Sequence, residues 1–350
     1  MGYFLEALRT KESGLSYEVL DSRGERFLGA SRSHIAMAVA TLAICLVRMT
    51  LRRMAGQHVL AHVNITGRGS TLRKTVLLLW AQCIRMPYVI HVHDYDYSAD
   101  YLARGRVMRA FVRKIFRGAG AVLVLGEREK IALQNLLGLG ASTTAVLHNA
   151  VPDPKPTVSR RSPSHTCNIL FLGHLTARKG VPELLRALAY PNVMSRDWHA
   201  TLAGGADNDG FQRMAGELGL GKRTRFPGWL DQSEVRGLFA EGDILVLPSY
   251  AEGLAMALLE GISHGLTVVT TPVGAHSEVI EDNVSGLLVP PGNVDALAAA
   301  LIRAIDDVSL RERLQSGARR RFLEGFEVEA YAARLVAIHE RILQYGHVDA

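Results

Sequence analysis

Cysteine is scarce. The three residues Cys45, Cys83 and Cys167 stand far apart with no CxxC spacing, so this 350-residue chain offers neither a disulfide framework nor a zinc site. That usage fits a reducing compartment, and the cytoplasm is the expected location. Long apolar runs are also missing. The longest, Ile35 to Val47, has 13 residues, against the roughly 20 needed to span a bilayer, and the first residues do not read as a signal peptide. Acidic residues are absent from Arg26 through His93, a stretch that holds nine basic ones. Through His165 there are 23 Lys and Arg against 11 Asp and Glu, a net of +12, whereas the remainder has 17 against 23, a net of −6. A surface built from the first half is expected to attract phosphate or an anionic membrane. Nucleic acid is not among the expected partners.

The chain is 48% hydrophobic and long enough for two cores. Short β-rich runs alternate with helical patterns in the order that builds parallel sheets covered by helices. In the second half the strands are "CNILFLGHL", "HATLAGG", "RTRFPGW", "DILVLPS", "LTVVTTPVG" and "GLLVP", with helices such as "VPELLRALAY", "SEVRGLFAEG" and "VDALAAALIRAIDD" between them. The first half repeats the plan less cleanly, with strands at "SYEVLDS", "HVLAHVNI", "YVIHVHD", "AVLVLG" and "TTAVLHN". The expected organisation is a Rossmann-like domain over 1–152, a Pro- and Arg-rich linker over 153–165, a second Rossmann-like domain over 166–325, and a C-terminal helix over 326–350 able to fold back on the first domain.

Four stretches carry chemistry. In "SYAEGLAMALLEGISHG" two glutamates, Glu252 and Glu260, fall at the start of an apolar helix. If both are helical they point within about 80° of each other, roughly 12 Å apart along the axis. That separation is too long for an acid and base acting on one glycosidic bond, but it suits a ligand with hydroxyls at both ends and a diphosphate between. "GHLTARKG" ends a strand with Arg178 and Lys179 set to neutralise a diphosphate. "VIHVHDYDYSADY" ends a strand in His91 and His93, which share a strand face and read either as buried structural histidines or, with a third ligand the sequence does not supply, as a metal pair. "GRGSTLRK" follows a strand and opens a helix, making Arg73 and Lys74 candidates for a phosphate or an anionic acceptor group.

Taken together, "GHLTARKG", "RFPGW", "LPSYAEGLAMALLE" and "TTPVGAHSEVIEDNVSGLLVPPGNVDAL" resemble the C-terminal domain of family 4 glycosyltransferases, the retaining GT-B enzymes whose signature is E-x7-E at this position. The match is dense from about Cys167 to Ala304 and looser over the first half. The resemblance implies an α/β GT-B fold, two Rossmann-like domains facing each other across a cleft. It puts Glu252 on the donor sugar, Glu260 on the nucleotide ribose and Lys179 on the phosphates, with Gly173, His174, Arg178, Gly253 and Leu254 around the donor. His174 stands where members commonly carry arginine, which implies weaker or pH-dependent phosphate binding. His93 matches the family's strand-end histidine beside the sugar, and His91 takes the neighbouring inward position on the acceptor side. Asn149, in "VLHNAVP", is either a ligand contact or a turn residue.

The implied reaction moves a sugar from a UDP- or GDP-linked donor to a hydroxyl of a saccharide or lipid-linked acceptor with retention, in cell-surface polysaccharide synthesis of the bacterial polysaccharide or lipopolysaccharide type. Lys179 stabilises the leaving diphosphate while Glu252 and His93 hold the sugar; no cofactor or catalytic metal is required. The expected location is the cytoplasm, peripheral on the inner face of the membrane. Two readings compete: a GT-B-fold protein that binds nucleotide or a partner without turnover, and a NAD-dependent oxidoreductase, which lacks its GxGxxG. Family members open with a strand and a Gly-Gly loop. This sequence reads instead as the first helix directly, Tyr3 to Glu12, so the first domain is expected to lack its opening strand.

Overall fold

The protein is described by a computed structural model covering residues 7–8, 14–22, 32–56, 58–67, 69–154 and 166–346. It divides into two compact units, one made of residues 1–147 and 332–350 and the other of residues 148–331. The stretch read as a linker lies outside the described residues from position 155 to 165, and of the helix expected over Tyr3–Glu12 only Ala7 and Leu8 are described, both helical.

In the first unit α1 (Arg32–Met54) is followed by β1 (Ala61–Ile65), α2 (Gly69–Cys83), β2 (Tyr88–Val92), α3 (Tyr97–Leu102), α4 (Arg106–Arg117), β3 (Ala121–Val124), α5 (Glu127–Leu137) and β4 (Thr144–Val146). The strands form one parallel sheet in the order β1-β2-β3-β4, with Ala61 opposite Tyr88 and Val89 opposite Ala121. Strands β2 and β3 are buried along their whole length. Burial on both faces is why their sequences run apolar without alternating. Ile65, Leu78, Ile90, Ile115, Phe116 and Leu133 pack into the core between sheet and helices.

The segment Ser16–Ser22, expected as a strand, forms none. Its alternation has another cause: Leu20 packs on the core, while Tyr17 meets the His339 ring at 3.2 Å and Glu18 meets Arg52 at 2.9 Å. Side-chain contacts hold it on the first unit without a sheet partner.

The second unit runs β5 (Cys167–Leu172), α6 (Val181–Leu188), β6 (Trp198–Ala203), α7 (Asn208–Glu217), β7 (Thr224–Gly228), α8 (Gln232–Glu241), β8 (Ile244–Leu247), α9 (Met256–Ser263), β9 (Thr267–Thr270), β10 (Leu287–Leu288), α10 (Val294–Asp306) and α11 (Val308–Gly325). A last helix, α12 (Val328–Tyr345), closes the chain, and its residues from Ala332 on count with the first unit. Helix starts follow local chemistry: Asp231 and Glu234 make a reciprocal capping box on α8, and Asn293 and Asp307 cap α10 and α11. All six strands are parallel, in the order β10-β9-β8-β5-β6-β7. The winding direction reverses between β5 and β8. In such a sheet the loops leaving the carboxyl ends of those two strands part from each other and open a crevice, the place where α/β sheets bind ligands.

Candidate functional site

The two loops at that reversal carry the charged motifs. After β5 the chain turns through Gly173 and His174 into a 3-10 turn, Ala177–Lys179. Arg178 and Lys179 therefore precede α6 and do not open it. Gly180 follows at φ +72°, and a Cβ there would stand 2.1 Å from Pro248 O, so only glycine lets this turn press on the loop after β8. The Tyr250 N–H donates to Arg178 O at 2.8 Å, joining the loops directly.

Glu252 lies in the loop after β8, not on the helix, because α9 begins only at Met256 with Ala255 as its cap. Its backbone is held from below by the loop after β9. Ala275 N–H donates to Gly253 O at 2.8 Å, and Gly274, at φ +55°, leaves no room for a Cβ, which would fall 2.0 Å from Glu252 O. The carboxylate meets Lys179 Nζ through Oε1, accepts from Ser249 Oγ at 2.9 Å, and has Arg178 Nη1 at 3.9 Å from Oε2. Arg178 also donates to Ala251 O. Glu252 is therefore placed by three loops and not by a helical face shared with Glu260. Glu260 sits on α9 itself, half-buried, and burial pushes its carboxyl up to about 7. Gly253 contributes backbone to the cluster and Leu254 is buried beneath it. No side chain caps the start of α9, a helix end of the kind that receives anions.

His174 stacks edge-on against Trp229, ring centroids 5.0 Å apart. That pairing with an aromatic ring 66% exposed was not foreseen from the motif "RFPGW". Two other residues were missed. Thr271 Oγ1 donates to Ser249 O at 2.6 Å. His276, wholly buried, meets Thr270 Oγ1 at 3.0 Å through Nδ1 and accepts from Ala255 N–H at 3.4 Å through Nε2. Thr270 Oγ1 already donates to Leu247 O, so it can only accept from His276, which fixes the proton on Nδ1. Burial holds this ring neutral, its pKa lowered to about 4. Asn149 is buried at the beginning of the second unit.

The first unit gathers its own cluster at the ends of β1 and β2. His93 Nε2 meets Asn64 Oδ1 at 2.9 Å, and Lys74 Nζ donates to Asn64 O, so Lys74 comes to the histidine from α2. Arg73 has its Nε buried without a partner, and Arg68 of the same motif lies outside the described residues. His91 has no exposed surface; its ring is 4.0 Å from that of His93 and 5.5 Å from that of His62. Both of its ring nitrogens are buried without a hydrogen-bond partner. His62 Nδ1 meets His339 Nε2 of α12 at 2.9 Å. Burial lowers His62 and His93 to about 4 and His339 to about 3, and burial with the neighbouring His93 and His62 rings holds His91 well below its ordinary value. Among the described residues no group of three His, Cys, Asp or Glu is arranged to hold a metal.

A doubly wound parallel sheet with cations and a carboxylate at its switch point, and a second parallel α/β unit in the same chain, are the components of the GT-B class. Residues 159–321 match the family model described as "Glycosyl transferases group 1". Alpha-D-kanosaminyltransferase of Streptomyces kanamyceticus is 26% identical over 312 residues, 84% of this chain and 80% of that protein. The lipopolysaccharide core biosynthesis glycosyltransferase LpsD of Rhizobium meliloti is 31% identical over 185 residues, 51% of this chain and 52% of that protein. The matched stretch spans about half the length of several curated relatives. Among solved structures, HepE of Anabaena in complex with UDP superposes with a TM-score of 0.69 at 20% identity, covering 85% of this chain and 81% of that one; the same protein is also solved with UDP-glucose. Over residues 159–321 this chain is similar to the group 1 glycosyltransferases, and its two parallel α/β units share the fold of the solved HepE structures.

Proposed function

We propose that this chain transfers a sugar from a UDP-linked donor to a hydroxyl of a saccharide or lipid-linked acceptor during cell-surface polysaccharide synthesis, working peripherally at the inner face of a membrane. The observation that carries the reading is the meeting of Lys179, Arg178 and Glu252 at the switch point of the second sheet. Lys179 and Arg178 take the diphosphate as the anomeric bond breaks and negative charge gathers on the leaving oxygen. Glu252 turns from Lys179 to the sugar hydroxyls, and Glu260 accepts from the ribose. His93 keeps the sugar-contacting role that the family resemblance assigns it. The acceptor hydroxyl gives its proton to the departing diphosphate, so no separate base is needed. The HepE complexes support UDP over GDP, and the LpsD match supports a surface-polysaccharide acceptor.

The test is thermal unfolding with UDP, GDP and ADP, then product formation from the matching sugar donors. A native-state ligand raises stability as ln(1 + [L]/Kd). Stabilisation by UDP with turnover of a UDP-sugar supports the reading. Stabilisation with no turnover of any donor replaces it with the non-catalytic binder, and no stabilisation by any nucleotide removes it.

A further inference from the structure

The outer layer of the first unit has an unusual surface. Helix α1 turns a broad apolar arc to solvent: Met37, Val39, Ile44, Val47, Leu51 and Met54 are all exposed, Leu51 by 61% and Met54 by 78%. A helix on the surface of a water-facing protein normally shows charge there. The neighbouring helices continue the pattern. α2, which packs against both α1 and α4, exposes Leu72, Val76 and Trp80 along one line, and α4 exposes Val107 and Phe111. Trp80 Nε1 donates to Thr50 Oγ1 at 2.9 Å, tying α2 to α1 beside a shallow groove lined by Ala43, Leu46, Val47 and Leu51.

The charges carried by these three helices have one sign. α1 ends in Arg48, Arg52 and Arg53, all exposed, and α4 exposes Arg106, Arg113, Lys114 and Arg117. None of the three helices contains an Asp or Glu. Glu18, reaching across to Arg48 and Arg52, is the acidic side chain paired there.

We propose that α1, α2 and α4 form a docking face for an anionic phospholipid surface, the apolar arc entering the headgroup layer and the arginines engaging lipid phosphates. Charge decides between the two occupants an apolar face can have. A second copy of this chain in a twofold contact would bring the same basic border against itself, which repels, whereas anionic lipid complements it. No helix among the described residues is long and apolar enough to cross a membrane, so the contact is one of lying on the surface. The proposal depends on the first unit alone and stands or falls separately from UDP binding.

The experiment is co-sedimentation of the full chain with phosphatidylcholine vesicles with and without phosphatidylglycerol, at low and high salt. Binding is expected only with phosphatidylglycerol, weakened by salt, with a blue shift in emission that Trp80→Phe removes. Each of Arg48→Gln and Arg53→Gln weakens binding about fivefold, and Val47→Glu with Leu51→Glu abolishes it. Both sites of the double variant are exposed, so its unfolding temperature and its stabilisation by UDP stay as in the parent. Equal binding to neutral vesicles, or none to anionic ones at low salt, overturns the proposal. So does a dimer, seen by sedimentation velocity, that Val47→Glu with Leu51→Glu dissolves.

Discussion

Lys179 Nζ lies directly against Glu252 Oε1, so the cation and the carboxylate of the candidate donor site hold each other. Both are largely shielded, with 15% and 10% of their side chains exposed. In the function proposed above, a bound donor would replace this pair by two contacts, diphosphate on Lys179 and sugar hydroxyls on Glu252. Lys179→Ala and Glu252→Ala are each expected to lower turnover by about 10²–10³, and the double variant to be little worse than either single one, since each loss leaves the partner misdirected. Lys179→Ala also loses most of the stabilisation by UDP. Fully additive losses in the double-mutant cycle, or undiminished activity in Lys179→Ala, would contradict the shared role.

The ribose contact proposed for Glu260 would make nucleotide binding depend on pH. Its carboxyl, pushed up to about 7 by burial, must be ionised to accept from both ribose hydroxyls, so UDP affinity is expected to fall as pH drops below about 7, approaching tenfold per pH unit. The sign for the free protein is opposite. A carboxyl raised from 4.5 to about 7 in the fold is harder to ionise there than in the unfolded chain, so its effect on stability becomes unfavourable as pH rises from 4.5 through 7. Glu260→Gln flattens both profiles. Calorimetric titration with UDP across this range checks the first, and an unchanged slope in Glu260→Gln would reject the assignment.

The second unit was legible because its strands are short apolar runs with abrupt ends; every strand expected there, from "CNILFLGHL" to "GLLVP", is found. Lys179 and Glu252 were legible from residue type and motif, but their meeting was not, since it depends on β5 and β8 lying side by side across a break in winding order. The helical reading of Glu252 failed for a local reason: Gly274 and Ala275 hold the backbone at Glu252 and Gly253 in a loop that helix periodicity does not register. Ser16–Ser22 failed for the converse reason, since alternation shows which side chains turn inward and is silent on whether a strand lies alongside. His276 left no signal, being one histidine among polar residues whose neighbours are set by tertiary packing.

His276 is expected to act as a positioning residue for the start of α9. Its Nε2 receives the Ala255 N–H, and its Nδ1–H reaches back to Thr270 at the end of β9. His276→Ala removes both bonds and opens a cavity, costing about 2–3 kcal/mol. His276→Gln, whose amide reaches the Nε2 position, should recover more UDP affinity than His276→Asn, which reaches only Nδ1. Equal recovery by both would reduce the ring to a packing role.

The first unit is expected to be acid-labile because it holds four neighbouring histidines in neutral form, His91 and His339 buried and His62 and His93 half-buried. His62 and His93 are lowered to about 4 and His339 to about 3, chiefly by burial, and His91 is lowered by burial and by the His93 and His62 rings beside it. For a base whose pKa is depressed in the fold, the unfolded chain takes up the proton first. The stabilising contribution is therefore complete above 6.5, declines as pH falls from 6.5 towards 4, and is exhausted below the folded values. Holding one ring at about 4 instead of 6.5 corresponds to about 3 kcal/mol, so protonating even two of them approaches the whole stability of an ordinary domain. Urea unfolding at a series of pH values should show stability falling by more than about 1.4 kcal/mol per pH unit, the slope for one proton. His62→Asn, which removes the contact with His339, should make that slope shallower by about one proton. A slope that His62→Asn leaves unchanged would place the acid sensitivity outside this cluster.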